Sequence, residues 1–273
     1  MRQEFTIIPE RSNSPLADET SIDSATESVD DFMGGAVRLI QPKNGYRVSM
    51  DTVLLAAAVP AVAGDSVLEG GVGTGGAALC LARRVAGVSV HGIEQQDTML
   101  AYVSRNIIHN ALSENVTVTK GDITDLSSEE NQYDHVMINP PFLPNGKAIK
   151  PPSETKGMAH MDTTATIKDW VRFCVYKAKN KGTITIVYRA DRMDEVIAHL
   201  HRRVGELKIM PFWPRADVPA KRVIIQGRKG MRGAASLLPG LTLHSETERY
   251  TAEAKRILWD GEALDLKAFA SKR

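Results

Sequence analysis

Asn139-Pro140-Pro141-Phe142 follows directly on "YDHVMI", a run that reads as a buried β-strand. Proline cannot donate to a sheet ladder, so the strand ends at this point. An asparagine oxygen and the carbonyl of Pro140 then stand at the strand's carboxyl lip. Two acceptors there could take both hydrogens of a planar amine and turn its lone pair toward an electrophile. An exocyclic base amine needs such help, because its lone pair is delocalised into the ring. Pro141 would keep the Pro140 carbonyl facing outward, and Phe142 offers a face for a heterocycle to stack on. Rate would come from positioning, since no strong base is visible nearby. The plain alternative is a strand-ending turn with Phe142 in the core.

A second constellation lies upstream. "EGGVGTGG", Glu69–Gly76, ends a short apolar strand and opens a helix. Gly71, Gly73 and Gly76 satisfy G-x-G-x-x-G, a dinucleotide loop, with Glu94 where a ribose-binding carboxylate belongs. The same residues also fit E-x-G-x-G-x-G through Glu69, Gly71, Gly73 and Gly75, the S-adenosylmethionine form. A carboxylate beside the loop suits an ammonium and would repel a pyrophosphate. Asp122, after the third strand, could accept from an adenine amino group, or cap the turn that follows it.

The elements that must position these residues alternate. Strands "SVLEGG", "VSVHGIE", "VTVTKGD", "YDHVMI" and "GTITIVYR" are separated by helical stretches such as "QDTMLAYVSRNIIHNAL" and "TIKDWVRFCVYKAK". This is the pattern of βαβ units and a doubly wound, mostly parallel sheet. The final strands "LKIMPFW" and "KRVIIQGRKG" are close in sequence and suggest an antiparallel edge. In such sheets ligands bind at the carboxyl ends of the strands, where Glu69, Glu94, Asp122 and Asn139 all fall. Upstream, "AVRLIQPKNGYRVSMDTVLLAAAVPAV" predicts a strand, a turn at Asn44-Gly45, a second short strand and an apolar helix with Asp51 in the N-cap position.

At 273 residues, with 42% hydrophobic and 25% charged residues and a net charge of +1, the chain has the composition of a soluble globular protein. Residues 1–31 are acidic and polar and read as a flexible leader, followed by one domain over 32–273. That domain divides into a cap over 32–65, a catalytic sheet over 66–233 and a C-terminal extension over 234–273. Cys80 and Cys174 read as buried small hydrophobes, and neither has ligand-spaced Cys or His, so no metal site is predicted. No run approaches a membrane span, and a cytoplasmic location follows by default. Basic residues cluster locally: Arg215, Lys221, Arg222, Arg228 and Lys229, with Lys147 and Lys150 in the loop after Phe142. They suggest a phosphate-bearing partner, or ordinary solvated charge on helix and hairpin surfaces. Trp213, Phe212 and Tyr188 are available for stacking, with core packing equally open to Phe212.

Taken together, these motifs resemble the class I S-adenosylmethionine-dependent methyltransferases of the Asn-Pro-Pro-(Phe/Tyr) group. "GYRVSMDTVLLAAAV", "VLEGGVGTGGAALCLARR" and "MINPPF" carry that likeness. "PFWPRADVPAKRVIIQGRKG" narrows it to the bacterial enzymes that methylate N6 of adenosine 37 in a valine tRNA. The resemblance implies a Rossmann-like α/β fold with a seven-stranded sheet carrying an antiparallel edge strand. It implies that Asn139, Pro140, Pro141 and Phe142 hold the target adenine of a tRNA. Glu69, Gly71, Gly73, Gly75, Glu94 and Asp122 would hold S-adenosylmethionine, with Asn139 beside it and Arg47 and Asp51 in a segment closing over it. Guanine N2 in ribosomal RNA, DNA adenine or a protein glutamine would suit the same clamp. An NAD-dependent oxidoreductase and a non-catalytic RNA-binding module are the readings from other classes.

Overall fold

The computed structural model describes residues 21–45, 47–127, 132–141 and 165–271. Residues 1–20, Phe142, Lys147 and Lys150 therefore lie outside the described residues.

Central to the molecule is a twisted sheet. Its strands are β3 (Ser66–Gly70), β4 (Ser89–Glu94), β5 (Val116–Lys120), β6 (Tyr133–Ile138), β7 (Ala178–Arg189), β8 (Val204–Trp213) and β9 (Arg222–Lys229). They lie in the order β5-β4-β3-β6-β7-β9-β8. All neighbouring pairs from β5 to β7 are parallel, while β9 is antiparallel to both β7 and β8. The expected doubly wound sheet is present, but its antiparallel member lies one place inside the edge. Connection length explains this. Residues 214–221 are too few for the dozen or more that a parallel crossover needs, so the chain must turn back. Two short strands, β10 (Ser236–Leu237) and β11 (Leu241–Thr242), pair along the outer side of β8.

Alternation along the strands divides the core into two layers. Val67, Met137, Val187 and Ile224 face one, with helices α1 (Met50–Ala58), α2 (Gly76–Arg84) and α3 (Asp97–His109). Leu68, Ile138, Tyr188 and Val223 face the other, with α4 (Ile167–Lys177) and α5 (Met193–Leu200). A C-terminal helix, α6 (Ala252–Leu258), adds Ile257 and Leu258 to the first layer, and α7 (Leu266–Ser271) follows it. Cys80 and Cys174 are fully buried, one in each layer. Burial pushes the Cys80 thiol up to about 12.

Three expectations about the N-terminal region are corrected. Residues 27–31 are not a leader. Strand β1 (Glu27–Phe32) pairs antiparallel with β2 (Val37–Pro42), and its acids meet distant cations. Arg105 Nη1 lies 2.6 Å from Glu27, and Arg47 Nη2 lies 2.5 Å from Asp30. Composition alone shows the acids but not these partners. Residues 47–49 do not form the expected second strand, because β1 takes one edge of β2 and the Asn106 and Asn110 side chains take the backbone groups of Arg38 and Ile40. Nor is Asp51 the cap of α1. Ser49 is, its hydroxyl accepting from Asp51 N at 3.3 Å, which moves Asp51 into the first turn.

This small sheet is fastened to the main body by side chains of α3 and its C-cap. Arg105 pairs with Glu27, and Asn110 accepts from Arg38 N at 2.9 Å and donates to the Arg38 carbonyl at 2.7 Å. Asn106 is buried deepest. Asn106 of α3 accepts from Ile40 N at 2.7 Å and donates to the carbonyls of Ile40 and Thr74 at 3.0 and 2.9 Å. An amide with every hydrogen-bonding group matched in this way holds β2 and the glycine turn in one register.

Candidate active site

A cavity of about 440 Å³ opens at the carboxyl ends of β3, β4, β5 and β6, under the amino end of α1. Asp51, Glu69, Gly71, Gly73, Glu94, Asp122, Asn139, Pro140 and Pro141 all line it. The sheet order explains the gathering: β3, which ends in the glycine turn, lies between β4 and β6. Neighbouring strands are only about 4.8 Å apart, so three strand ends and one turn converge on a single pocket.

Within the turn two glycines do different work. At Gly73, φ is +57°, and a Cβ built there would meet nothing within 4 Å, so the backbone presents an open cradle to the cavity. At Gly75, φ is +96°, and a Cβ would stand 2.8 Å from Val103 and 3.2 Å from Leu79. Gly75 is therefore not among the lining residues. Its lack of a side chain lets α2 start close against α3.

The carboxylates are held in three ways. Glu69 is buried, accepts from the Ala78 backbone N–H, and leaves Oε2 without a partner. Burial, reinforced by the nearby charge of Glu94, holds its pKa well above the ordinary carboxylate range. Glu94 is anchored by backbone donors: Gly73 N at 2.9 Å to Oε2, and Gln95 N and Gln96 N at 3.0 Å to Oε1. Asp122 caps the following turn through Thr124 N and Oγ1, both at 2.8 Å, and its other oxygen receives Gln95 Nε2 at 3.2 Å. The turn-capping alternative for Asp122 is thus realised, while its side chain still lines the cavity.

Arg47 is not at the site. Its guanidinium donates to Ser28 Oγ, Asp30 and the Pro42 carbonyl, tying the β1–β2 hairpin to the segment before α1. Arg222, expected only as one member of a basic surface, lines the cavity instead and donates from Nε to Asp51 Oδ2 at 2.6 Å. The two residues lie 171 positions apart in the chain, so nothing local announces the pair. Sequence reasoning also missed Trp170, which lines the opposite wall with its indole N–H unmatched. A signal for it existed: Thr166 and Asp169 form a capping box that starts α4 just before it.

The basic cluster is split by the direction of β9. Arg222 begins that strand at the cavity end, whereas Arg228 and Lys229 finish it at the far end. Seven residue steps at about 3.3 Å each put some ~23 Å between them. Arg228 donates to the Lys181 carbonyl and pairs with Glu206, and Lys229 donates to the Ala178 carbonyl. Arg215 and Lys221 are exposed at the cavity end. Phe212 and Tyr188 are buried in the core, which leaves Trp213 as the partly exposed ring of the three.

Residues 67–148 match a family model described as a methyltransferase domain. With the sheet order, the glycine turn and the acids around it, the match supports an S-adenosylmethionine-dependent methyltransferase activity on a Rossmann-like fold. The chain is 24% identical over 220 residues to a protein of Parabacteroides distasonis named tRNA1(Val) (adenine(37)-N6)-methyltransferase, covering 80% of this chain and 91% of that one. A Shewanella baltica protein of the same name is 25% identical over 224 residues, covering 79% and 92%. Among solved structures, a predicted O-methyltransferase of Agrobacterium tumefaciens superposes with a TM-score of 0.66 at 22% identity, over 78% of this chain and 97% of that chain. The residues present fit the cofactor. The unmatched Glu69 oxygen suits its ammonium, and the bare backbone at Gly73 leaves room for it.

Proposed function

We propose that this chain methylates the exocyclic N6 amine of an unpaired adenine in tRNA, in the anticodon loop at position 37. One observation carries the reading: Asn139, Pro140 and Pro141 line the same cavity as Glu69 and Gly73, on the strand next to theirs. The names of the relatives in Parabacteroides distasonis and Shewanella baltica support the substrate. Glu69, Gly71 and Gly73 would hold the methionine end of the cofactor, Glu94 its ribose and Asp122 its adenine. When bound, S-adenosylmethionine supplies a methyl group on a positively charged sulfur.

The chain's own part is positioning. The Asn139 side-chain oxygen and the Pro140 carbonyl accept the two amine hydrogens and fix the direction of the nitrogen lone pair. Pro141 holds that carbonyl outward, and Phe142, outside the described residues, would stack on the ring. The proton released from the amine passes to solvent, since the clamp contains acceptors but no strong base. An unpaired base avoids the unstacking cost that a duplex would impose. The RNA would approach over the cavity ends of β7, β8 and β9, past Arg215, Lys221 and Trp213, and not over Arg228 and Lys229. No helix among the described residues is long and apolar enough to cross a membrane, and a bacterial tRNA substrate would place the enzyme in the cytoplasm.

Transfer of tritiated methyl to bulk tRNA, with mass spectrometry of the nucleosides, tests this. N6-methyladenosine is the expected product, and N2-methylguanosine would overturn the assignment. Asn139→Ala should abolish transfer while S-adenosylhomocysteine binding persists. Loss of that binding would refute the division of labour.

A further inference from the structure

The cavity is lined by four carboxyl groups, Asp51, Glu69, Glu94 and Asp122, and among the described lining residues Arg222 is the sole cation. Its position across the sheet mouth is informative. Glu69 shares a face with Met137, its register partner, in the layer that also holds Val187 and Ile224. Arg222, two before Ile224 in β9, falls by alternation on the same face as Glu69, and Asn139, directly after β6, lines the same cavity. Reading across β3, β6, β7 and β9, the order is Glu69, Asn139, then Arg222. Arg222 therefore stands on the side of Asn139 away from the glycine turn.

A base held at Asn139 must direct its amine toward the glycine turn, where the methyl is supplied. Its ribose hangs from the opposite side of the ring, so the sugar and its phosphates project toward β7 and β9. The guanidinium that meets them is fixed in place. Nε is bound by Asp51 at 2.6 Å and Nη1 by the Lys221 carbonyl at 3.1 Å. Asp51 is in turn held in the first turn of α1, its side chain 10% exposed against 33% for Arg222. A half-buried pair of this kind seldom adds much net stability, so stability alone does not account for a cation in an otherwise acidic pocket. A guanidinium has five N–H donors in a rigid fork, and one that holds a carboxylate can still receive a phosphate.

We propose that Arg222, positioned by Asp51, is a phosphate subsite for the backbone next to the target nucleotide. This rests on the tRNA reading above and deepens it. Asp51 then acts on the RNA through Arg222, in place of the cofactor contact expected from sequence.

The test uses the full chain, a tRNA substrate, and the same RNA with a neutral methylphosphonate at each phosphate flanking the target adenosine. Arg222→Gln should lower kcat/KM for RNA by about 10- to 100-fold, as expected for a charge-assisted contact, with the loss carried by KM. The salt slope should fall by about one phosphate, ~0.7 for a single strand. S-adenosylhomocysteine affinity should stay within about twofold. Arg222→Lys should recover part of the loss, and Asp51→Asn should raise the KM for RNA by a smaller factor. One methylphosphonate should weaken the wild-type enzyme and have no further effect on Arg222→Gln, and the wild-type arm alone decides if the variant does not fold. A large loss of S-adenosylhomocysteine affinity with an unchanged RNA KM would instead assign Arg222 to the cofactor's carboxylate and overturn the proposal. Methylphosphonates without effect on the wild type would overturn it too. Absence of any transfer from wild-type enzyme to RNA would refute the parent reading, whereas transfer unaffected by Arg222→Gln would refute the subsite alone.

Discussion

Replacing Gly73 and Gly75 with alanine, one at a time, separates the two jobs that the glycine turn performs. Both glycines adopt positive φ, +57° and +96°. An L-residue there costs about 1–2 kcal/mol, of which about 0.4–1 kcal/mol is returned by the less flexible unfolded chain. For Gly73→Ala nothing further is added, because no atom lies within 4 Å of the new methyl. The expected loss is at most about 1.5 kcal/mol, or a melting shift of no more than about 6 °C for a chain of this size. Its methyl, however, projects into the space the cofactor would fill. For Gly75→Ala the methyl meets Val103 at 2.8 Å and Leu79 at 3.2 Å. Overpacking adds about 1–3 kcal/mol, giving a total of about 1–4.5 kcal/mol. Urea unfolding gives the stabilities, and titration calorimetry with S-adenosylhomocysteine gives the affinities. Gly73→Ala should stay near wild type in stability and lose affinity by an order of magnitude or more, while folded Gly75→Ala should be the less stable variant and bind nearly normally. Wild-type affinity in Gly73→Ala would refute the cradle, and a Gly75→Ala variant as stable as wild type would refute the packing role.

Two further outcomes follow from buried polar groups. The raised pKa of Glu69 means that the native state holds its proton to higher pH than the unfolded chain does. Stability should therefore fall as pH rises from the unfolded value through the folded one and then level off. Glu69→Gln should not show this fall, and denaturant titrations of both proteins across that window check it. Over the same window S-adenosylhomocysteine should bind wild type more tightly as Glu69 ionises to meet its ammonium, so a pH-independent affinity would count against the contact. Asn106→Ala would leave Ile40 N and the carbonyls of Ile40 and Thr74 unmatched inside the protein. A loss of roughly 2–4 kcal/mol in urea unfolding is expected from such groups. A near-neutral result would mean that water takes over the role of the side chain.

Much of the fold and most of the site could be read along the chain, because their signals are local. "SVLEGG" is a strand running into glycines whatever it packs against, and "INPP" must end a strand because proline lacks the donor. The alternation of such runs with helical ones implies parallel strands whose carboxyl ends face one way, which brings Glu69, Glu94, Asp122 and Asn139 to one mouth. Signals of this range reach a few residues.

What required the tertiary structure is every pairing decided by strand order and by distant charges. The acids of β1 read as a solvated leader until Arg105 and Arg47 are brought beside them by α3 and by the segment before α1. Gly75 reads as a ligand-binding glycine until Val103 of α3 is seen where its side chain would be. Arg222 reads as one of several surface cations until β9 is inserted antiparallel between β7 and β8. That insertion carries its first residue to the cavity and its last to the opposite end of the sheet. Backbone propensity and proline chemistry act between near neighbours and are written in the sequence. Which side chains share a pocket is set by how the sheet closes its core, and that is a property of the packed molecule alone.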